Sequence, residues 1–192
     1  MTEGRPALLV MDVQQGIVER YTGDGVPDLL ERLAKGIGAA RGAGVPVIYV
    51  RVAFREGYAE VSPRNRSFAA LTESGGFTLD DASTQVHPEV APQPGEPVVV
   101  KKRVSAFAGS DLDLVLRAGE IDTLVLCGIA TSGVVLSTLR QAADLDFRIV
   151  VLSDGCLDGD PEVHRVLTEK VFPRQADVMT VEEWVAEIEL PG

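Results

Sequence analysis

Six short apolar runs recur along the chain, and longer stretches with helical period separate most of them. Ala7–Asp12 (ALLVMD), Val45–Val52 (VPVIYVRV), Pro97–Lys102 (PVVVKK), Thr123–Gly128 (TLVLCG), Arg148–Asp154 (RIVVLSD) and Ala176–Thr180 (ADVMT) are expected to be strands. Most are continuously apolar rather than alternating, so both faces of each strand must be covered, as in a parallel sheet. Leu29, Leu33, Ile37 and Ala40 share one helical face, and Leu112, Val115 and Leu116 a second. Val135, Leu136, Leu139 and Ala143 form a third, and Val163, Val166, Leu167 and Val171 a fourth. Gly42 and Gly44 are placed to close the first long helix, and Asp160 before Pro161 reads as an N-cap and first helical residue. A last helix begins near Val181, with Trp184 as its anchor in the core or at a subunit interface. This alternation predicts a doubly wound α/β sandwich with right-handed crossovers. A chain of 192 residues suits one domain over 1–192.

The exception to the alternation is Phe54 to Pro97, rich in Gly, Pro, Ser and Thr. At that length it is expected to be a functional covering loop with a short helix. Charge narrows the partners. A net charge of -11, with only the short basic run Lys101–Arg103, argues against nucleic acid. Two cysteines, Cys127 and Cys156, suit reduced thiols in a cytoplasmic protein rather than a disulfide framework. His87 and His164 are far apart and no Cys/His cluster has metal-ligand spacing, so neither a metal nor another cofactor is called for. No run has the length of a membrane span or the order of a signal peptide.

In open α/β sheets ligands bind beyond the carboxyl ends of the strands. That rule selects Asp12, Lys101, Lys102, the segment Gly128 to Val134, and Asp154 to Cys156. A strand-end Asp beside a strand-end Lys suits a charge pair in a partly dry cleft, with burial raising the carboxyl pKa and the ammonium lowering it. The stretch Leu124–Phe147 (LVLCGIATSGVVLSTLRQAADLDF) runs from strand to helix, where unpaired N–H groups and the helix dipole point at whatever sits there.

The ordered motifs LLVMDVQQGIV, VVVKKRVSAF and LVLCGIATSGVVLSTLRQAAD together resemble the isochorismatase-like hydrolase superfamily, also called the cysteine hydrolases. The resemblance runs from about Leu8 to the last strand. It implies a three-layer, Rossmann-like sandwich around a six-stranded parallel sheet, a small-molecule substrate, no membrane partner, and a homodimer or larger homo-oligomer. It also implies a catalytic Asp12 and Lys101, the latter four residues before Ser105; strand alternation agrees in choosing one of the two lysines, with Lys102 turned to a covering helix or solvent. The family nucleophile, six residues after the Gly that ends the fourth strand, falls on Val134, which has no nucleophilic atom. Neither thiol repairs this: Cys127 precedes the turn, and Cys156 follows another strand, near the cleft mouth.

Family members with Gly at that position hydrolyse a vinyl ether and release pyruvate, chemistry that needs a proton donor rather than a thiolate. The resemblance therefore implies Asp12 as general acid/base and Lys101 as its orienting partner. It further implies a cis Ile129–Ala130 peptide, with the Ala130 and Val134 N–H groups forming an oxyanion site. Gln14, Arg64, Arg66, Phe107, Ser132 and Gly133 complete the candidate substrate contacts; Gln14 also braces the first loop, and Phe107 is a pocket or core packer. Two alternatives stand beside this reading. One is an inactive binding or oligomerisation module on the same fold; the other is an amidase-type hydrolase using activated water or Ser132.

Overall fold

The computed structural model describes residues 4–21 and 25–189. Its strands are β1 (Pro6–Met11), β2 (Val47–Val52), β3 (Val98–Lys101), β4 (Thr123–Ile129), β5 (Arg148–Leu157) and β6 (Asp177–Met179). The helices are α1 (Gln15–Val18), α2 (Gly25–Gly42), α3 (Ala69–Ser74), α4 (Leu112–Ala118), α5 (Leu136–Asp144), α6 (Pro161–Val166) and α7 (Val181–Glu189). The six strands form one parallel sheet in the order β3-β2-β1-β4-β5-β6.

Sequence alternation explains the two cores. Along β1, Ala7, Leu9 and Met11 pack into one layer with Leu112 and Leu116 of α4 and Leu139 of α5. Leu8 and Val10 point the other way, against Leu29, Leu33 and Ile37 of α2 and Trp184 of α7. Each such Leu or Ile contributes about 1.5–3 kcal/mol of burial, which is why a six-residue run without alternation is stable only between two helical layers. Trp184 is thus a core anchor. Among the described residues no helix is long and apolar enough to cross a membrane.

Three expectations are corrected. The fourth strand does not break at Gly128: β4 continues through it to Ile129. Gly128 holds φ +132, and a Cβ there would overlap the Met11 carbonyl, so only glycine lets β4 pass this close to the end of β1. The fifth strand runs three residues further than expected, to Leu157. Finally, the Val163 face is core only in its second half: Val163 is exposed, while Leu167 and Val171 pack into the core layer. Asp160 caps α6 as expected, accepting from the Glu162 and Val163 N–H groups, and the chain continues from α6 into a wider helical turn at Leu167–Val171.

The segment between β2 and β3 builds a small core of its own. Phe54 packs against Val52 and Phe77, with the Phe68 ring edge-on at 5.4 Å, and Tyr58, Val61 and Leu71 close around them. α3 lies within it, the short helix expected there.

Candidate active site

The strand order reverses direction between β1, which leads to β2 and β3, and β4, which leads to β5 and β6. The crevice beyond the carboxyl ends of β1 and β4 is where such sheets bind ligands. Asp12 is the first residue past β1. Its backbone takes φ +56, a left-handed conformation more often adopted by Asp and Asn than by other non-glycine residues, while its N–H donates to the Val50 carbonyl at 2.8 Å.

The end of β3 supplies the partner. Lys101 Nζ lies 2.9 Å from Asp12 Oδ2, and the two side chains are 2% and 8% exposed. Nζ also donates to the carbonyls of Arg103 at 2.9 Å and Val104 at 3.0 Å. Three acceptors thus meet the three protons of an ammonium. Strand alternation turns Lys102 the other way, where its Nζ donates to the Ala53 carbonyl and lies 3.9 Å from Glu60. Asp12 Oδ1 is buried with no hydrogen-bond partner. Burial pushes the Asp12 carboxyl above its usual range; the Lys101 charge and hydrogen bond pull back but do not cancel it.

The third wall is the turn after β4. The Ile129–Ala130 peptide is cis, as the resemblance implied. Thr131–Val135 then form a wide turn into α5, with the Gly133 N–H on the Ala130 carbonyl at 3.0 Å. Gly133 stands at φ -95, ψ -106, outside helical geometry. The turn is tied from behind: Thr131 Oγ1 is 2.8 Å from His164 Nδ1, and the Ser132 N–H donates to Asp158 at 2.7 Å.

Together these elements enclose a cavity of about 400 Å³. Asp12, Lys101, Ala130, Gly133 and Val134 line it, and the covering segment contributes Ser67, Phe68, Leu71 and Phe77. The chain just past α1 adds Arg20 and Tyr21. A larger open groove of about 730 Å³ lies between α2 and α7, but it is lined by surface residues such as Lys35, Gly38 and Glu182 and holds no buried charge. Among the described residues no group of three or more His, Cys, Asp or Glu side chains gathers to hold a metal ion.

Several candidate substrate contacts lie elsewhere. Gln14 is fully buried and does not line the cavity. Its amide donates to the carbonyls of Val52 at 3.0 Å and Thr84 at 2.9 Å and accepts from the Val52 N–H at 2.8 Å, so it ties the covering segment to β2. Arg64 and Arg66 are exposed and away from the lining, because the covering segment folds inward through Phe68, Leu71 and Phe77. Phe107 packs on Phe147 at 6.1 Å in the core layer. Ser132 is exposed, leaving Gly133 as the turn residue beside Val134 that reaches the cavity.

Cys156 does not follow its strand but sits within β5 opposite Gly128, buried in the core, its thiol pushed up to about 12 by burial. Cys127 is fully buried on β4, donates to the Leu9 carbonyl at 3.3 Å, and is likewise raised by burial. Neither is an accessible thiolate. Among the lining residues that the sequence reading missed is a cation, Arg20. Its signal was position: α1 is one short turn, so the chain beyond it still lies over the strand ends.

The chain matches the isochorismatase domain over residues 6–183. It is 34% identical to an uncharacterized isochorismatase family protein, YecD of Escherichia coli O157:H7, over 92% of this chain and 93% of the relative. It is 32% identical to the ureidoacrylate amidohydrolase RutB of Stutzerimonas stutzeri, over 98% of this chain and 82% of that one. A solved cysteine hydrolase from Pseudomonas syringae pv. phaseolicola aligns with a TM-score of 0.86 at 27% identity, covering 96% of this chain and 92% of the other. N-carbamoylsarcosine amidase from Thermoplasma acidophilum aligns with a TM-score of 0.76 at 28% identity, covering 98% and 99%. With the matched domain spanning nearly the whole chain and the sheet order, strand ends and cavity as described, this protein belongs to the isochorismatase family of hydrolases.

Proposed function

We propose that this hydrolase works by proton delivery from Asp12, held by Lys101, and that it cleaves the vinyl ether of a small enolpyruvyl compound. The observation that carries the reading is the buried Asp12–Lys101 pair in the wall of a cavity whose neighbouring turn presents Val134, while both cysteines are sealed in the core. Counting six residues from Gly128 puts Val134 where cysteine members of the family carry their nucleophile.

In the proposed reaction Asp12 protonates the methylene carbon of the enol ether, and positive charge develops at the ether carbon. Water adds there and returns its proton to Asp12. The hemiketal collapses to pyruvate and an alcohol. Burial suits Asp12 to the acid role because it favours the protonated carboxyl. Lys101, with its three protons already committed, fixes the carboxyl rather than touching substrate. The Ala130 and Val134 N–H groups are assigned to the oxygen of the collapsing hemiketal.

Incubation with isochorismate and enzymatic detection of pyruvate tests this. Turnover that falls by roughly 10²–10⁴ in Asp12→Asn supports the acid role; asparagine also tolerates the left-handed backbone at this position. Turnover unchanged in that variant, or none in the wild type, removes the proposal. Two other readings have a specific support. The branched Val134 side chain in the cavity wall favours a silent binding module, and the amidases among the relatives favour amide hydrolysis by activated water. A panel of amides and ureido acids, scored for ammonia release and for binding without turnover, separates them. We further propose that the working form is a homodimer or larger assembly, read by light scattering.

A further inference from the structure

We propose that Arg20 is a carboxylate clamp at this cavity and determines its specificity, so that the ligand is a small carboxylate with a flat, apolar body. The inference deepens the hydrolase reading above and rests on it only for which end of the ligand reacts.

Four lining residues can carry charge: Asp12, Lys101, Arg20 and Tyr21. The ammonium protons of Lys101 are already held by Asp12 at 2.9 Å and by the carbonyls of Arg103 and Val104, so it offers no free donor. Among the described residues that leaves Arg20 as the lining cation able to meet an anion. Its guanidinium carbon stands 4.9 Å from the centre of the Phe77 ring. Stacking of this kind uses the face of the guanidinium and leaves its N–H edges to form a two-point contact with a carboxylate.

The rest of the lining suits the body of such a ligand. Ile17, Val52, Phe68, Leu71 and Phe77 present aliphatic and aromatic surface and no charge. Arg20 is itself exposed, at the cavity rim, so the contact rests on the two-point geometry of the guanidinium rather than on exclusion of water. The chain as a whole carries a charge of -11, so an anionic ligand gains nothing from the overall field and depends on a local cation. Arg64 and Arg66, the sequence candidates for this contact, do not line the cavity.

Calorimetric titration of the whole chain with benzoate and with benzyl alcohol, matched in body and differing in charge, tests the clamp. Arg20→Gln is expected to weaken benzoate binding by roughly tenfold to a hundredfold and to leave benzyl alcohol within about twofold. Arg20→Lys, which keeps the charge but loses the fork, should fall between. Arg117→Gln, a change of equal charge on α4, should match the wild type for both ligands. No measurable benzoate binding by the wild type, equal losses for both ligands in Arg20→Gln, or a benzoate loss that follows Arg64 or Arg66 instead, overturns the proposal. The chemistry can fail separately. If benzoate binding depends on Arg20 but isochorismate is not consumed, the vinyl-ether reading falls and the clamp stands. If pyruvate is released with KM unchanged in Arg20→Gln, the clamp falls and the chemistry stands.

Discussion

Replacing Lys101 with methionine keeps the length of the side chain and removes its charge, which isolates the worth of the buried pair. Three contacts are lost at once: the Asp12 carboxylate at 2.9 Å and the carbonyls of Arg103 and Val104 at 2.9 and 3.0 Å. Breaking a buried pair by removing one partner costs about 3–5 kcal/mol, because the survivor keeps its desolvation without compensation. For a chain of this size that lowers Tm by on the order of 10 °C.

The loss must also depend on pH in a definite direction. Burial already places the folded carboxyl of Asp12 above its unfolded value of 3.8. Such a group binds its proton more tightly when folded, so its contribution to stability is present at low pH and is lost as pH rises through the folded pKa. Without Lys101 the folded pKa rises further, and the window of loss extends upward. The gap between wild type and variant should therefore widen as pH rises from the usual carboxylate range to neutrality and beyond. Urea unfolding followed by circular dichroism at both ends of that range reads it. In an Asp12→Asn background the same substitution should cost far less, giving a coupling of about 3 kcal/mol. A loss below about 1 kcal/mol at neutral pH, or one that is flat with pH, would refute the reasoning.

The same carboxyl sets the expected rate profile: if Asp12 is the acid, pyruvate release declines as pH rises past its elevated pKa, and a profile that instead climbs there would assign Asp12 as a base. Gln14→Leu removes three buried hydrogen bonds to Val52 and Thr84 and should cost about 3 kcal/mol in urea titration. Native protein should resist Ellman's reagent at neutral pH, with both thiols reacting only after denaturation, because Cys127 and Cys156 are buried and their thiols raised.

The strand count and layer arrangement could be read from the sequence because parallel strands buried on both faces have no polar alternative: β1 through β6 all fall within the six apolar runs or extend slightly beyond them. Strand ends were read less well. Gly128 looked like a break and is a point of close approach, a distinction that depends on where the Met11 carbonyl lies and not on the residue itself. The Val163 face looked uniform in period, yet only Leu167 and Val171 reach the core.

The sequence by itself determined the chemical inventory and much of its placement: a carboxyl just past β1, an ammonium at the end of β3, and no thiol in the turn after β4. Period and strand-end position are local properties, and a single chain displays them directly. Only the tertiary structure decided which of those groups meet and which term governs them. It brought Asp12 and Lys101 to 2.9 Å and buried the pair deeply enough for desolvation to outweigh the neighbouring charge. It also placed Arg20, and not Arg64 or Arg66, in the cavity lining, through a fold of the covering segment that no local pattern encodes. Distance and dielectric are properties of the packed assembly, set by residues far apart in the chain, and they decide what a carboxyl and a cation can do.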